Sequence, residues 1–405
     1  MIYDTNKSLY HYCRAKLKKI ENVAFSGIAA SMLKRGCTVH TAFRLPLNLN
    51  AYSRSNIEEN SKDGIRLKNV DLFIWDELPM ATKYALQAVD LKLQEIMKNT
   101  SPFGNKIFLF GGDFRQLMPV VEGGTDNEVI DSCVKNSHLW KNFKILHLTE
   151  NMRTGIQEKD FADWLLKLGD GKLNDRDDMV ELPDACNVTT DSLANKVYGE
   201  LIKEKKWTEL GKCCICAFYN ADVDELNTEV LDLLPGESKS YFAINNADKN
   251  ILATYPELLD VVETTGLPPN ELKLKLNSVV MLIRNINVNN GKVNGTRIQV
   301  TSLGKNVIKG IIINGSRTGE TIFIPRITLN EEKNVPCPMS RHQFPVKLAM
   351  ALTVHKTQSQ TIKRLGIDLR RDCFSYGHIY TAFSRATSWN DITVRIKDGG
   401  QKKNL

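Results

Sequence analysis

The sequence predicts an α/β protein built on parallel sheets with helices on their faces, carrying a smaller β-rich insertion. Two observations predict the sheets. The apolar run Val70-Asp71-Leu72-Phe73-Ile74-Trp75 ends in Asp76-Glu77, and Ile107-Phe108-Leu109-Phe110 ends in Gly111-Gly112-Asp113-Phe114-Arg115-Gln116. Buried-type strands that deliver polar groups at their C-terminal ends are how a parallel α/β sheet builds a nucleotide site. The third observation is a change of texture from 272 to 330. There, short β segments (Ser278 to Ile283, Arg297 to Leu303, Val307 to Ile313, Glu320 to Ile324) alternate with Asn-Gly and Gly-Lys turns. That pattern predicts a small β-barrel inserted in a second domain.

The elements follow in order. Leu9, Cys13, Leu17 and Ile20 recur at helical spacing and predict a first amphipathic helix over 9–20. A strand from Asn22 to Phe25 turns at Ser26-Gly27 into a helix from Ile28. From Phe43 to Arg66 the chain is polar and irregular, a small insertion or wedge at about 44–66. Strand 70–75, helix 81–98, strand 107–110 and strand 144–148 then alternate as β-α-β units do. Near residue 155 the pattern restarts with a helix over 158–168, stopped by Gly169-Asp170-Gly171. Helices 191–203 and 221–233 flank a strand at 213–218, and the tail returns to helix 376–387 and strand 391–396. The expected domains are therefore 1–155, then 156–271 with 331–405, with the barrel at 272–330.

Composition bounds the class. The 405 residues suffice for two or three domains, and 42% apolar with 25% charged residues is ordinary globular usage. No apolar run approaches the ~18 residues of a membrane span, so no membrane partner is expected. The N-terminus lacks the basic-then-apolar layout of a signal peptide. A net charge of +7 is compatible with a polyanionic partner and equally with a solvated surface. The nine cysteines are scattered apart from Cys213-Cys214-Ile215-Cys216. With no second CxxC or HxxxH nearby, these read as buried strand cysteines rather than a metal site, and imply a reducing compartment.

Four constellations carry chemistry. Asp76 after an apolar strand can hold a Mg²⁺-bound water, and Glu77 can polarise an attacking water, although two acids at a strand end also arise by chance. Gln116 can hydrogen-bond a terminal phosphate, whereas alone the run would be a Gly-Gly turn with a surface Arg-Gln. Arg153 and Arg385 can each neutralise transition-state charge on a phosphoryl group, against the plain alternative of a surface salt bridge. Finally, Leu348 to Thr361, and Gly27 to Ser31 with Thr38, His40 and Thr41, concentrate hydroxyl, amide and backbone N–H groups suited to nucleic-acid phosphates.

Together these residues resemble the petite-integration-frequency (Pif-one-type) DNA helicases of superfamily one, B subgroup, with most likeness to those of Helitron-type mobile elements. The motifs are SGIAAS at 26–31, WDELPM at 75–80, GGDFRQLMPV at 111–120 and LTENMR at 148–153, then LPG at 234–236, GLPPNELKLKLNSVVMLIRNINVNNGKVNGTR at 266–297, HKTQSQT at 355–361 and YTAFSRATS at 380–388. The resemblance runs from about residue 5 to 396. It implies two RecA-like P-loop NTPase domains with an inserted 2B-type barrel, and an ATP-dependent 5′-to-3′ DNA helicase acting in repair, recombination and telomere maintenance. Asp76 and Glu77 would serve Mg²⁺ and water activation, Gln116 would sense the γ-phosphate, and Arg153 and Arg385 would be arginine fingers. Ser26, Gly27, Thr38, His40, Thr41, Thr353, His355, Lys356, Thr357, Gln358 and Thr361 would grip single-stranded DNA. The expected state is a monomer on single strands and junctions, in the nucleus, with the mitochondrion as the alternative.

Two departures stand out. The family opens with an apolar strand and a G-x-x-G-x-G-K-[ST] loop, and no Gly-Lys pair here has the required upstream glycine. The nearest remnant is Asp4-Thr5-Asn6-Lys7-Ser8, with Lys7 as the phosphate lysine and Ser8 as a second Mg²⁺ ligand beside Asp76; otherwise it is a polar N-cap before the first helix. An N-terminal truncation through this loop is the expectation. It would leave sheet edges unpaired, and a truncated remnant that binds single-stranded DNA without ATP turnover is the alternative. The second departure is Ser359, where the family's K-[ST]-Q-G carries glycine.

Overall fold

The computed structural model describes residues 2–121, 123–149, 151, 153–176, 179–247, 257–262, 264, 266–287, 292–315, 317–332, 335, 337–397 and 402–404. Glu150 and Met152 of the LTENMR motif and residues 288–291 of the long motif lie outside the described residues. The chain divides into two compact units, Met1–Val180 with Cys373–Ser388 and Asn404–Leu405, and Glu181–Asp372 with Trp389–Lys403.

The first unit is a four-stranded parallel sheet. Its elements are α1 (Ile2–Ala15), β1 (Ile20–Ala24), α2 (Gly27–Met32), β2 (Cys37–Thr38), α3 (Val39–Phe43), α4 (Lys62–Lys68), β3 (Leu72–Asp76), α5 (Lys83–Met97), β4 (Ile107–Phe110), α6 (Asp126–Ser132) and α7 (Lys159–Gly169). The strand order is β2-β1-β3-β4. Side-chain oxygens of Ser26, Thr38, Ser61, Thr82 and Thr125 accept the orphan N–H groups that open α2 to α6; such caps stabilise a helix by about 1 kcal/mol each. Val23, Phe73, Trp75, Leu86, Val89 and Leu93 are fully buried in one core, and Phe43, Phe73, Phe108 and Phe103 make a run of ring contacts through it.

Two expectations are corrected in this unit. The first helix spans Ile2–Ala15 instead of 9–20, because no proline or glycine interrupts the first residues and an earlier start lets the helix pack on β1 and β3. Lys7 and Ser8 therefore lie inside a helix, not in a loop before one. Residues 144–148 form no strand. Ile145, Leu146 and Leu148 are 56%, 75% and 62% exposed, and β4 ends the sheet with Ile107 66% exposed. Ladder hydrogen bonds form only when a segment is carried against an open edge, and among the described residues 144–148 is not carried to that of β4.

The second unit contains a five-stranded parallel sheet in the order Ala351–Thr353, Cys213–Ala217, Arg364–Leu369, Ile392–Ile396, Asn187–Thr189. All five residues of Cys213–Ala217 are buried, consistent with a central strand covered on both faces. The two units each carry a parallel sheet, as expected of two RecA-like domains. The β-rich region reaches beyond the expected 272–330. A five-stranded antiparallel sheet runs in the order Thr321–Pro325, Val307–Ile312, Arg297–Leu303, Val279–Leu282, Val346–Leu348. Its two end strands are not paired with one another among the described residues. A separate pair, Lys239–Phe242 with Glu271–Leu274, shares its core through Tyr241, Leu272 and Leu274. Buried Arg297 joins the antiparallel sheet to the parallel one, donating to the carbonyls of Gly211, Cys213 and Ala349.

Candidate active site

The site is built at the C-terminal ends of β3 and β4. Leu78 N–H donates to the Gly111 carbonyl at 3.0 Å and Gly111 N–H to the Trp75 carbonyl at 2.9 Å, so the two loops are stitched edge to edge. A Cβ on Gly112 would stand 2.2 Å from Pro79 Cδ, which is why only glycine fits there. Glu77 has φ 55° and ψ 42°, a left-handed conformation that costs a non-glycine residue roughly 1–2 kcal/mol. Such strain persists where the surroundings over-determine it; here it turns the chain sharply after Asp76.

Asp76 is a perturbed carboxyl. Burial and the neighbouring Glu77 charge push its pKa up to about 6, against partial relief from the Glu77 N–H and from Asn6. Between the ordinary carboxylate value and about 6, the folded state binds a proton that the unfolded state has released. Stability therefore falls as pH rises through that window, and the full penalty, on the order of 3 kcal/mol, is present above it. Asp76→Asn is accordingly expected to raise the melting temperature at about pH 7.5 and to change it little near pH 4; thermal melts at both pH values check this.

Arg153 and Arg385 are brought together in the first unit. The Arg153 Nη2 donates to the Arg385 carbonyl at 3.4 Å. Burial and the Arg385 charge push the Arg153 pKa down to about 9, opposed by Tyr380 and Glu77. Arg385 lies just beyond helix His378–Phe383 and is 1% exposed, with Nε donating to Thr381 O at 2.9 Å and Nη2 to Ser384 Oγ at 2.7 Å. Gln116 is half-buried, its N–H donating to the Asp113 carbonyl at 3.1 Å.

The predicted nucleotide pair fares differently. Lys7 and Ser8 are exposed on α1, while the preceding residue, Asn6, is 4% exposed and is the one that acts on Asp76. Burial and a like charge leave the carboxylate charge of Asp76 and Glu77 under-compensated. The exposed Ser8 hydroxyl is not brought into that set.

The expected strand-gripping residues divide. Ser26 Oγ and Thr38 Oγ1 are occupied as helix caps, accepting Ala29 N–H and Thr41 N–H. Gly27 and His40 are half-buried and Thr41 is exposed. His40 packs edge-on against Phe25, and burial lowers its pKa. In the second unit, Thr353 stands at the N-cap position of the short helix Val354–Thr357 without a side-chain cap hydrogen bond; His355 and Lys356 are half-buried, with pKa values lowered by burial. Thr361 is exposed. Thr357 and Gln358 correct the expectation for their side chains. Both are buried, and the Thr357 hydroxyl donates to the Val354 carbonyl because the tight turn points it inward. Ser359 has φ 63° and so adopts the conformation glycine would favour.

Sequence reasoning missed Asn6, Asp113 and Tyr380. The last two lie inside GGDFRQ and YTAFSR, so their motifs marked the place without assigning them a role.

Comparison with known proteins supports one family throughout. Residues 5–179 match the family described as PIF1-like helicase, and residues 257–303 match the 2B domain of DNA helicase Pif1. The chain is 26% identical to the ATP-dependent DNA helicase Pif1 of a Psychrobacter species, covering 95% of this chain and 64% of that protein. It is 28% identical to human ATP-dependent DNA helicase PIF1, covering 80% of this chain and 46% of that one. The chain thus spans less than two thirds of the length of these curated relatives. Among solved structures, a Pif1 helicase described for DNA unwinding at forked double-stranded DNA by two coordinating helicases is similar at 27% identity and TM-score 0.67, covering 93% of this chain and 82% of that one. Bacteroides Pif1 bound to single-stranded DNA shares the fold at TM-score 0.68 and 24% identity, covering 97% of this chain and 86% of that one.

Proposed function

Because the chain belongs to the PIF1-like helicase family, we propose that it is an ATP-dependent DNA helicase that tracks single-stranded DNA in the 5′-to-3′ direction. The observation that carries the reading is the convergence of Glu77, Arg153 and Arg385 in one compact unit, with two arginines close enough to depress one pKa. Paired guanidiniums beside carboxylates suit a polyphosphate whose negative charge grows during transfer. Glu77 polarises the attacking water. Gln116 reads the γ-phosphate, and Arg153 and Arg385 stabilise charge on it. Asp76 would hold Mg²⁺, which screens the phosphate oxygens when bound. Thr41 and Gly27 in the first unit, and Thr361 with Lys356 in the second, contact the DNA backbone. The protein acts as a monomer.

The test is ATP hydrolysis with and without a single-stranded oligodeoxynucleotide. Stimulation by DNA is expected, together with DNA affinity that falls steeply as salt rises. A folded sample that hydrolyses no ATP in the presence of DNA overturns the reading. One observation favours a second reading, in which these residues bind single-stranded DNA without ATP turnover: Lys7 and Ser8 are exposed on a helix. A nucleotide titration bears on the choice, since micromolar affinity for Mg·ATP argues strongly against the second, and DNA-stimulated turnover excludes it.

A further inference from the structure

Arg385 cannot adjust its position independently of its helix. Its Nε and Nη2 are tied to Thr381 and Ser384, so where helix His378–Phe383 sits decides where this guanidinium points. The helix is seated on the glutamine loop. Gly377 has φ 77°, and a Cβ there would lie 2.6 Å from the Gln116 carbonyl oxygen and 2.9 Å from that of Arg115. Tyr380, one turn along, is 9% exposed, and its hydroxyl donates to Asp113 Oδ2 at 2.6 Å. Asp113 is in turn held in place. Its Oδ1 accepts the Arg115 N–H at 3.1 Å, and Arg115 Nε donates to Asp170 at 2.6 Å, beyond the end of α7. One turn further on from Tyr380, Phe383 packs against Trp164 of α7 with ring centroids 5.1 Å apart.

We propose that Tyr380 and Asp113 are a positioning pair, a hydroxyl–carboxylate hydrogen bond that sets the helix carrying Arg385 in register with the loop carrying Gln116. The proposal rests on the ATP-hydrolysing reading of this site. Neither residue is a catalytic group. The pair makes one rigid body of two groups that must meet the same phosphate, and a hydrogen bond to a charged acceptor is short and directional enough to hold that register. A misplacement of about 1 Å in such a constellation can cost on the order of 100-fold in rate.

The test is steady-state ATP hydrolysis by the full chain with saturating single-stranded DNA. Tyr380→Phe, which removes one hydroxyl, is expected to lower kcat roughly 10- to 100-fold while KM for ATP changes by less than about threefold. Asp113→Ala is expected to match it, and the double variant to be no worse than Asp113→Ala alone. Asp113→Asn keeps one of the two oxygen acceptors and loses the charge, and is expected to give a kcat between those of Asp113→Ala and the wild type. A second measurement does not depend on turnover: amide hydrogen exchange across residues 378–385 is expected to speed up in Tyr380→Phe relative to the wild type. Wild-type kcat in Tyr380→Phe, or a loss of thermal stability with kcat intact, overturns the proposal. Absence of DNA-stimulated hydrolysis in the wild type is the distinct failure of the parent reading, and it overturns the catalytic purpose of the pair as well.

Discussion

Arg385→Lys is expected to lower DNA-stimulated kcat by on the order of 1,000-fold, with much less change in KM for ATP. Lysine keeps the charge and loses the planar fork. Arg385 uses that fork twice, once through Nε to the Thr381 carbonyl and once through Nη2 to the Ser384 hydroxyl. A lysine ammonium on a flexible stem cannot hold both partners and present a further donor in a fixed direction. Because Arg385 is buried beside Arg153, whose pKa it helps to depress, the charge it carries acts in a poorly screened environment. Electrostatic stabilisation is strongest where water is excluded and the donors are already in place. Steady-state kinetics at saturating DNA check the result; a variant within about tenfold of the wild type sinks the assignment of Arg385 to transition-state stabilisation.

Glu77→Gln is expected to reduce hydrolysis by roughly 100- to 10,000-fold, the range spanned by loss of a general base. The substitution is close to isosteric, so the left-handed turn at this position is retained and nucleotide affinity should persist. It also deletes one of the two causes that raise the Asp76 pKa. The same variant should therefore titrate Asp76 at a lower pH than the wild type, which carboxyl-detected NMR can follow. An unchanged rate would remove Glu77 from the water-activating role. An unchanged Asp76 titration would show that burial alone sets its pKa.

Much of the site was legible because its chemistry is carried on contiguous motifs at strand ends. The acids of WDELPM and the glutamine of GGDFRQ stand where a parallel sheet delivers them, and the strand at 107–110 appears with the expected bounds. What was illegible depended on partners distant in sequence. Nothing local distinguishes Ile145 and Leu146 from strand residues, yet they pair with no strand among the described residues. Nothing local shows that Thr357 faces the core while Thr361, four residues later, is exposed. Nor does spacing show that Asn6, rather than Lys7 or Ser8, acts on Asp76; that depends on how α1 lies against β3.

The sequence by itself determined the α/β class, the family and the identity of the groups available for phosphate chemistry, because hydrophobic period and residue type are properties of short windows. The tertiary structure decided which of those groups meet. It placed Arg385, 232 residues after Arg153, against it, seated the Arg385 helix on the Gln116 backbone, and raised the Asp76 pKa. These outcomes depend on burial and on distances across the fold. Desolvation and Coulomb interaction are set by what surrounds a group in space, not by its neighbours along the chain.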